Sequence, residues 1–285
     1  MEWRLVFGVV AVGVVVAASA DAVYRADWFH AAFVLATVVL AAGTLRIQQA
    51  RPPNKKERRP KQKRSNGKPS PPSVNTNFPG LRTIRETPVI YSVDGFLSDA
   101  LCRALIAAAE PHLDASPIAF GGAHREADRT SSSCLLQRTR PECVELRRRV
   151  GALTGAPLAH MEDPQVARYR RGEAYAAHFD APSWSDDDGP MFHACGGART
   201  HTVLIYLNDV SRGGATRFCS LEPTLEVRPS PGMALLFHPM DGRGRVDQAL
   251  LHEAATAVDE KWVCQVWVRQ RSDPSRTFME NAHSV

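Results

Sequence analysis

The stretch from Gln165 to Asp180, QVARYRRGEAYAAHFD, ends in His178-Phe179-Asp180, and far downstream His252 is followed by Lys261. In an extended strand successive side chains alternate between faces, so His178 and Asp180 project into one cavity while Phe179 points away. Two imidazoles and one carboxylate on one side of a metal leave the opposite positions open for substrate and oxygen, the ligand set of non-haem Fe(II) oxygenases. A structural zinc site would instead fill its shell with protein ligands, usually cysteines, and no cysteine here lies at CxxC spacing. A His-x-Asp tripeptide also occurs in surface loops and strand ends, so its weight comes from its surroundings.

Those surroundings read as a scaffold. Val89 to Phe96 is a short strand and turn, and Ser98-Asp99 opens a helix with Leu101, Leu105, Ile106 and Ala109 on one face. Pro141, suited to a first helical position, opens a second through Val144, Leu146, Val150 and Leu153. From Gln165 the pattern changes to short β-branched and aromatic runs bounded by Gly, Pro and Asp: 166–169, 175–180, 202–207, 216–219, 224–228, 233–237, 249–253 and 262–268. The expected fold is therefore β-rich α+β, a double-stranded β-helix (jelly roll) with flanking helices. The run 202–207 is apolar on both faces and is expected to be an interior strand.

Taken in order, Phe96-Leu97-Ser98, Arg129-Thr130-Ser131, Arg168-Tyr169 with Gly172 and Tyr175, His178-Phe179-Asp180, Arg199 with Thr202, Tyr206-Leu207-Asn208, Gly213-Gly214-Ala215-Thr216 with Phe218, Pro231-Gly232 with Phe237, His252, and Lys261-Trp262 with Trp267 resemble the prolyl 4-hydroxylase family of 2-oxoglutarate- and Fe(II)-dependent dioxygenases. The resemblance spans roughly residues 89 to 270. It implies that His178, Asp180 and His252 bind Fe2+ and that Lys261 pairs with the distal carboxylate of 2-oxoglutarate. It further implies that Tyr169 and Thr216 help hold that carboxylate, that Trp267 borders the cosubstrate, and that Tyr175 and Arg199 lie where a proline-containing peptide would enter. The implied cofactors are Fe2+, 2-oxoglutarate and O2, with ascorbate as reductant.

Charge agrees with this set. Fe(II) with one carboxylate and two neutral imidazoles carries +1, 2-oxoglutarate brings −2, and one buried lysine restores neutrality. An anion enclosed without a partner would cost several kcal/mol. Lys261 and Trp267 are six apart, so in a strand they face the same side. Outside the pattern Lys261 reads as a strand-edge lysine, Tyr169 and Tyr175 as core aromatics, and Gly213-Gly214 as a hairpin turn. Ser185 to Gly189, SDDDG, is a solvated loop or part of a lid. One departure from the family is the interval from His252 to Lys261: nine residues rather than ten, with neither Pro nor Gly. The turn there must be built differently.

The 285-residue chain has room for one domain and extra segments. Its net charge of +5 is local: residues 46–68 hold ten Lys/Arg against one Glu, leaving the rest mildly acidic. That argues against a nucleic-acid groove on the domain. Leu5 to Ala20 and Trp28 to Leu45 are apolar runs near the lower length limit for spanning helices. With the basic, proline-rich spacer behind them they predict a membrane anchor, or a signal peptide plus anchor. The expected organisation is an anchor at 1–46, a disordered basic linker at 47–82, the oxygenase domain at 83–272 and a tail at 273–285. The expected location is a membrane, the endoplasmic reticulum by resemblance, with the side left open. Six scattered cysteines leave disulfides, and hence redox compartment, open, and oligomeric state is not legible.

The expected activity is hydroxylation of peptidyl proline coupled to conversion of 2-oxoglutarate to succinate and CO2. Two alternatives accompany it: the same oxygenase acting on a lysyl side chain, free amino acid or small molecule, and a membrane-anchored jelly-roll binding module without catalysis.

Overall fold

The computed structural model describes residues 73–117, 128–182, 189–240 and 245–273. The apolar runs and most of the basic linker lie outside the described residues, as do residues 183–188, which include all of the Ser185–Gly189 loop but Gly189, and most of the tail.

Among the described residues, strands form an eight-stranded and a four-stranded sheet, with every pairing antiparallel. In chain order they are β1 (Leu81–Glu86), β2 (Val89–Val93), β3 (Asp114–Ala115), β4 (Ser132–Leu135), β5 (Gln165–Tyr169), β6 (Tyr175–His178), β7 (Arg199–Tyr206), β8 (Thr216–Phe218), β9 (Leu225–Val227), β10 (Ala234–Phe237), β11 (His252–Ala254) and β12 (Lys261–Arg269). The larger sheet runs β1-β2-β10-β7-β12-β5-β4-β3 and the smaller β6-β11-β8-β9. Each of the eight runs expected from Val166 onward contains a strand, and successive strands switch between the sheets except at the β8–β9 hairpin, where both lie in the smaller one. The helices are α1 (Asp99–Ala109), α2 (Pro141–Thr154) and α3 (Gly189–Ala194).

Side-chain parity divides the apolar residues into two cores. On β7 and β12, Val203, Ile205, Cys264 and Val266 join Leu105, Leu146 and Val150 in a core beneath α1 and α2. Leu204, Tyr206 and Val263 face the other way and meet Tyr175 and Phe218 of the smaller sheet. Burial on both faces is why the second half of β7, residues 203–206, is continuously apolar. Ser98 caps α1 by accepting from Leu101 N–H, and Pro141 opens α2, which ends on Gly155 at φ 68°.

The folded domain starts before residue 83, which corrects the expected linker boundary. Ser73 Oγ donates to Thr154 O and Asn75 N–H to Leu153 O, satisfying carbonyls that the end of α2 leaves orphaned. Val74 and Phe78 pack against the core. Two other expectations shift at their edges: 249–253 begins as a 3-10 turn, Gln248–Leu250, with the strand starting at His252, and 175–180 stops at His178. The sequence reading did not contain β1, β3, β4 or α3.

Candidate active site

Strand pairing brings the two histidines together. His252 of β11 stands directly opposite His178 of β6, and their ring centroids are 4.4 Å apart. Asp180 lies just past the end of β6. Its Oδ1 is 3.8 Å from His178 Nε2 and its Oδ2 is 3.8 Å from His252 Nε2. One ligand atom from each residue falls within 4.8 Å of the others, and among the described residues this is the only such cluster of three or more His, Cys, Asp or Glu.

The donor set suits a metal. His178 Nδ1 is 2.8 Å from Ala176 O and His252 Nδ1 is 2.9 Å from Leu250 O. A carbonyl only accepts, so each Nδ1 donates, and Nε2 is the nitrogen each ring turns toward Asp180 and offers a metal. Burial, aided by His252, drives the His178 pKa down to about 3, keeping the ring neutral as a ligand must be. Burial also works against the Asp180 carboxylate. Positive charge around it, on the imidazoles of His252 and His178 when they are protonated and on the Arg199 guanidinium at all times, together with the Thr202 hydroxyl, outweighs burial and holds Asp180 below the ordinary carboxylate range.

Lys261 is 2% exposed and lies in the same cavity, a small one lined by Tyr169, Tyr175, Thr202, Thr216 and both histidines among others. It pairs in register with Tyr169, and its Nζ donates to Gly214 O at 2.6 Å and sits 5.1 Å from the Tyr169 ring centre. Burial pulls its pKa down to about 7. Tyr206, read from sequence only as part of a pattern, donates its hydroxyl to Thr216 Oγ1 at 2.8 Å. The nine-residue return to Lys261 dispenses with Pro and Gly of its own by leaning on Arg212 to Gly214: Val258 and Asp259 N–H donate to Arg212 O, and Gly214 N–H to Thr256 O.

Tyr175 lies face to face with His178, ring centroids 3.6 Å apart, under the Arg129 guanidinium at 4.6 Å. Trp267 pairs with Thr202 across β12 and β7, but it is not among the residues lining the cavity. The structure gives Arg199 partners other than the entering peptide that the resemblance implies. It is buried, donates to Asp180 O, makes a two-pronged ion pair with Glu162 at 2.7 Å and lies 3.9 Å over the Trp267 ring. Glu162 and Arg129 went unassigned in the sequence because both sit outside any periodic apolar run.

A jelly roll with this His, Asp, His cluster and a buried lysine defines the class of 2-oxoglutarate- and Fe(II)-dependent oxygenases, and residues 164–269 match the model of the 2OG-Fe(II) oxygenase superfamily. Within it, the Arabidopsis thaliana protein named "Probable prolyl 4-hydroxylase 6" is 31% identical over 208 residues, 65% of this chain and 70% of that protein. "Probable prolyl 4-hydroxylase 10" of the same plant is 31% identical over 196 residues, 61% of this chain and 66% of that protein. The viral collagen prolyl hydroxylase of Paramecium Bursaria Chlorella virus-1, solved as its 2OG complex, superposes with a TM-score of 0.50 at 26% identity, covering 63% of this chain and 95% of that chain. The chain belongs to the prolyl 4-hydroxylase family. It spans about two thirds of the length of these plant relatives.

Proposed function

We propose that this protein is a 2-oxoglutarate- and Fe(II)-dependent dioxygenase that hydroxylates proline in a peptide or protein, with ascorbate as reductant. The observation that carries this reading is the convergence of two histidine Nε2 atoms and one carboxylate within 4.8 Å of each other, at a cavity lined by both histidines and Lys261. The family names of the relatives support the proline acceptor.

His178, Asp180 and His252 would hold the iron, which when bound supplies oxygen activation coupled to oxidative decarboxylation of 2-oxoglutarate. Lys261 would meet the distal carboxylate of that cosubstrate, since a buried ammonium without a carboxylate beside it is an unmatched charge. Because Tyr206 donates to Thr216 Oγ1, the Thr216 hydroxyl proton is left to donate to the same carboxylate. Phe218, Phe237 and Leu204 wall the metal end with apolar surface and exclude water from it. Tyr175, stacked on His178, would present the acceptor side chain to the open side of the metal. The two apolar runs at 5–20 and 28–45 support attachment of the full chain to a membrane, that of the endoplasmic reticulum by family resemblance.

The test is succinate release by the full-length protein given Fe(II), 2-oxoglutarate and proline-rich peptides, with mass spectrometry of the peptides. A gain of one oxygen on proline is expected. Succinate without hydroxyproline would move the acceptor to another residue or molecule, and failure to bind Fe(II) and 2-oxoglutarate would leave the binding-module reading.

A further inference from the structure

Asp180 has an exposed weakness that its two partner histidines lack. His178 and His252 are held by the β6–β11 ladder, whereas β6 ends at His178 and Asp180 has no ladder pairing of its own. Its backbone is instead held by Arg199, which donates to Asp180 O.

Arg199, in turn, is set by a buried carboxylate between two guanidiniums. Arg199 opens β7 and Arg269 closes β12, and they stand directly opposite each other in register. Like charges in that position repel. Glu162 resolves this: its Oε1 accepts from Arg199 Nε and from Arg269 Nε, both at 2.7 Å, and its Oε2 from Arg199 Nη2 at 2.7 Å. Glu162 is itself docked on β12 by its N–H to Trp267 O at 2.9 Å. Arg269 also donates to Phe192 O at 2.8 Å and Gly197 O at 3.1 Å, which ties down the chain between Asp180 and β7. Trp267 below and Phe192 beside it fix the plane of Arg199.

We propose that Glu162 and Arg269 are positioning residues for the metal site, setting Arg199 so that it holds the backbone of Asp180 where its carboxylate can join the two histidines. This rests on the metal-site reading above. It also assigns the arginine–glutamate group to the metal rather than to the peptide.

The test uses the full-length chain with Co(II) as the probe, because its d–d absorption reports ligand geometry without turnover. Outer partners of metal ligands are typically worth about 10–100-fold in metal affinity, so Glu162→Gln is expected to weaken Co(II) binding by about that range and to alter the d–d bands. Arg269→Lys, which keeps the charge but loses the fork, is expected to move both readouts the same way, and it decides the matter should Glu162→Gln fail to fold. Arg138→Gln, which removes the neighbouring ion pair with Asp163, is the control and is expected to leave the Co(II) spectrum unchanged. Wild-type affinity and spectrum in both folded variants would overturn the proposal, as would a loss confined to the KM for peptide. If the wild-type protein itself bound no Co(II), the reading of the metal site would fall first.

Discussion

Thr202 Oγ1 donates to Asp180 Oδ2 at 2.7 Å from within β7, and both residues are buried. The backbone of Asp180 is held by Arg199 and its carboxylate by Thr202, so the one ligand outside a strand is fixed at both ends. Thr202→Val keeps the shape and removes the donor. Since that hydrogen bond is among the forces keeping the carboxylate ionised, its loss raises the Asp180 pKa. Metal binding, which needs the ionised form, is then expected to weaken by about tenfold and to fail at higher pH on acidification. Thr202→Ser retains the hydroxyl and is expected to stay near wild type. Metal titrations across an acid pH series check both; equal behaviour of the two variants would remove Thr202 from the site.

Lys261 gives a pH dependence of opposite cause. Its pKa falls to about 7 in the fold by burial, while in the unfolded chain it stays near the ordinary lysine value of about 10.5. Between those values the unfolded chain binds more protons, so stability of the ligand-free protein rises with pH through that window and the full penalty is present below it. Lys261→Met is expected to abolish that rise and to raise stability at neutral pH relative to wild type, while 2-oxoglutarate binding is lost. Thermal melts from about pH 6 to 10 read the first effect, and equilibrium binding reads the second.

The same linkage acts on the cosubstrate. A dicarboxylate enclosed beside Lys261 favours the ammonium, so binding above about pH 7 takes up a proton and affinity falls as pH rises. Calorimetric titrations at about pH 8 in buffers of different ionisation enthalpy are expected to show proton uptake in wild type. A binding enthalpy independent of buffer would mean that the lysine is already charged in the empty cavity.

How much of this site was legible follows from which residues announce themselves. His178, Asp180, His252 and Lys261 carry chemistry at strand-compatible spacing, and the alternating runs around them exposed the eight strands of the jelly roll. Glu162 has no such signal: it sits in an irregular Met-Glu-Asp-Pro segment and acquires meaning only when β7 and β12 bring Arg199 and Arg269 face to face. Tyr206 entered only as part of the family pattern; in the fold it is a buried core aromatic whose hydroxyl crosses to Thr216 of the smaller sheet. β1 and β4 were missed because LRTIRE and SSCL mix polar residues with few β-branched ones. They form because β2 and β5 offer open edges, which no local pattern encodes.

Tyr206→Phe isolates the hydroxyl. The ring stays in the core, but Thr216 Oγ1 loses its donor and a net hydrogen bond of about 1 kcal/mol. The Thr216 hydroxyl is then free to turn away from the cavity, so the KM for 2-oxoglutarate is expected to rise by up to about tenfold with kcat little changed. Steady-state kinetics with 2-oxoglutarate as the varied substrate separates the two. A drop in kcat at unchanged KM would place Tyr206 in a later step than cosubstrate binding.

Gly213 and Gly95 both adopt positive φ, +69° and +59°, but only one is hemmed in. A Cβ on Gly95 meets nothing within 4 Å, whereas one on Gly213 would lie 2.5 Å from Thr256 O and 2.7 Å from Val258 N. Gly95→Ala therefore costs only the left-handed backbone, about 1–2 kcal/mol. Gly213→Ala adds a backbone clash that must push the Arg212–Gly214 loop off the return segment. That separation would break the Gly214 N–H to Thr256 O bond and disturb Gly214 O, the acceptor of Lys261 Nζ. Gly213→Ala is thus expected to lower the melting temperature more than Gly95→Ala and, unlike it, to weaken 2-oxoglutarate binding. Melts and cosubstrate titrations on the two variants decide it: if both lose stability alike and neither loses affinity, the short return from His252 does not depend on this loop to aim Lys261.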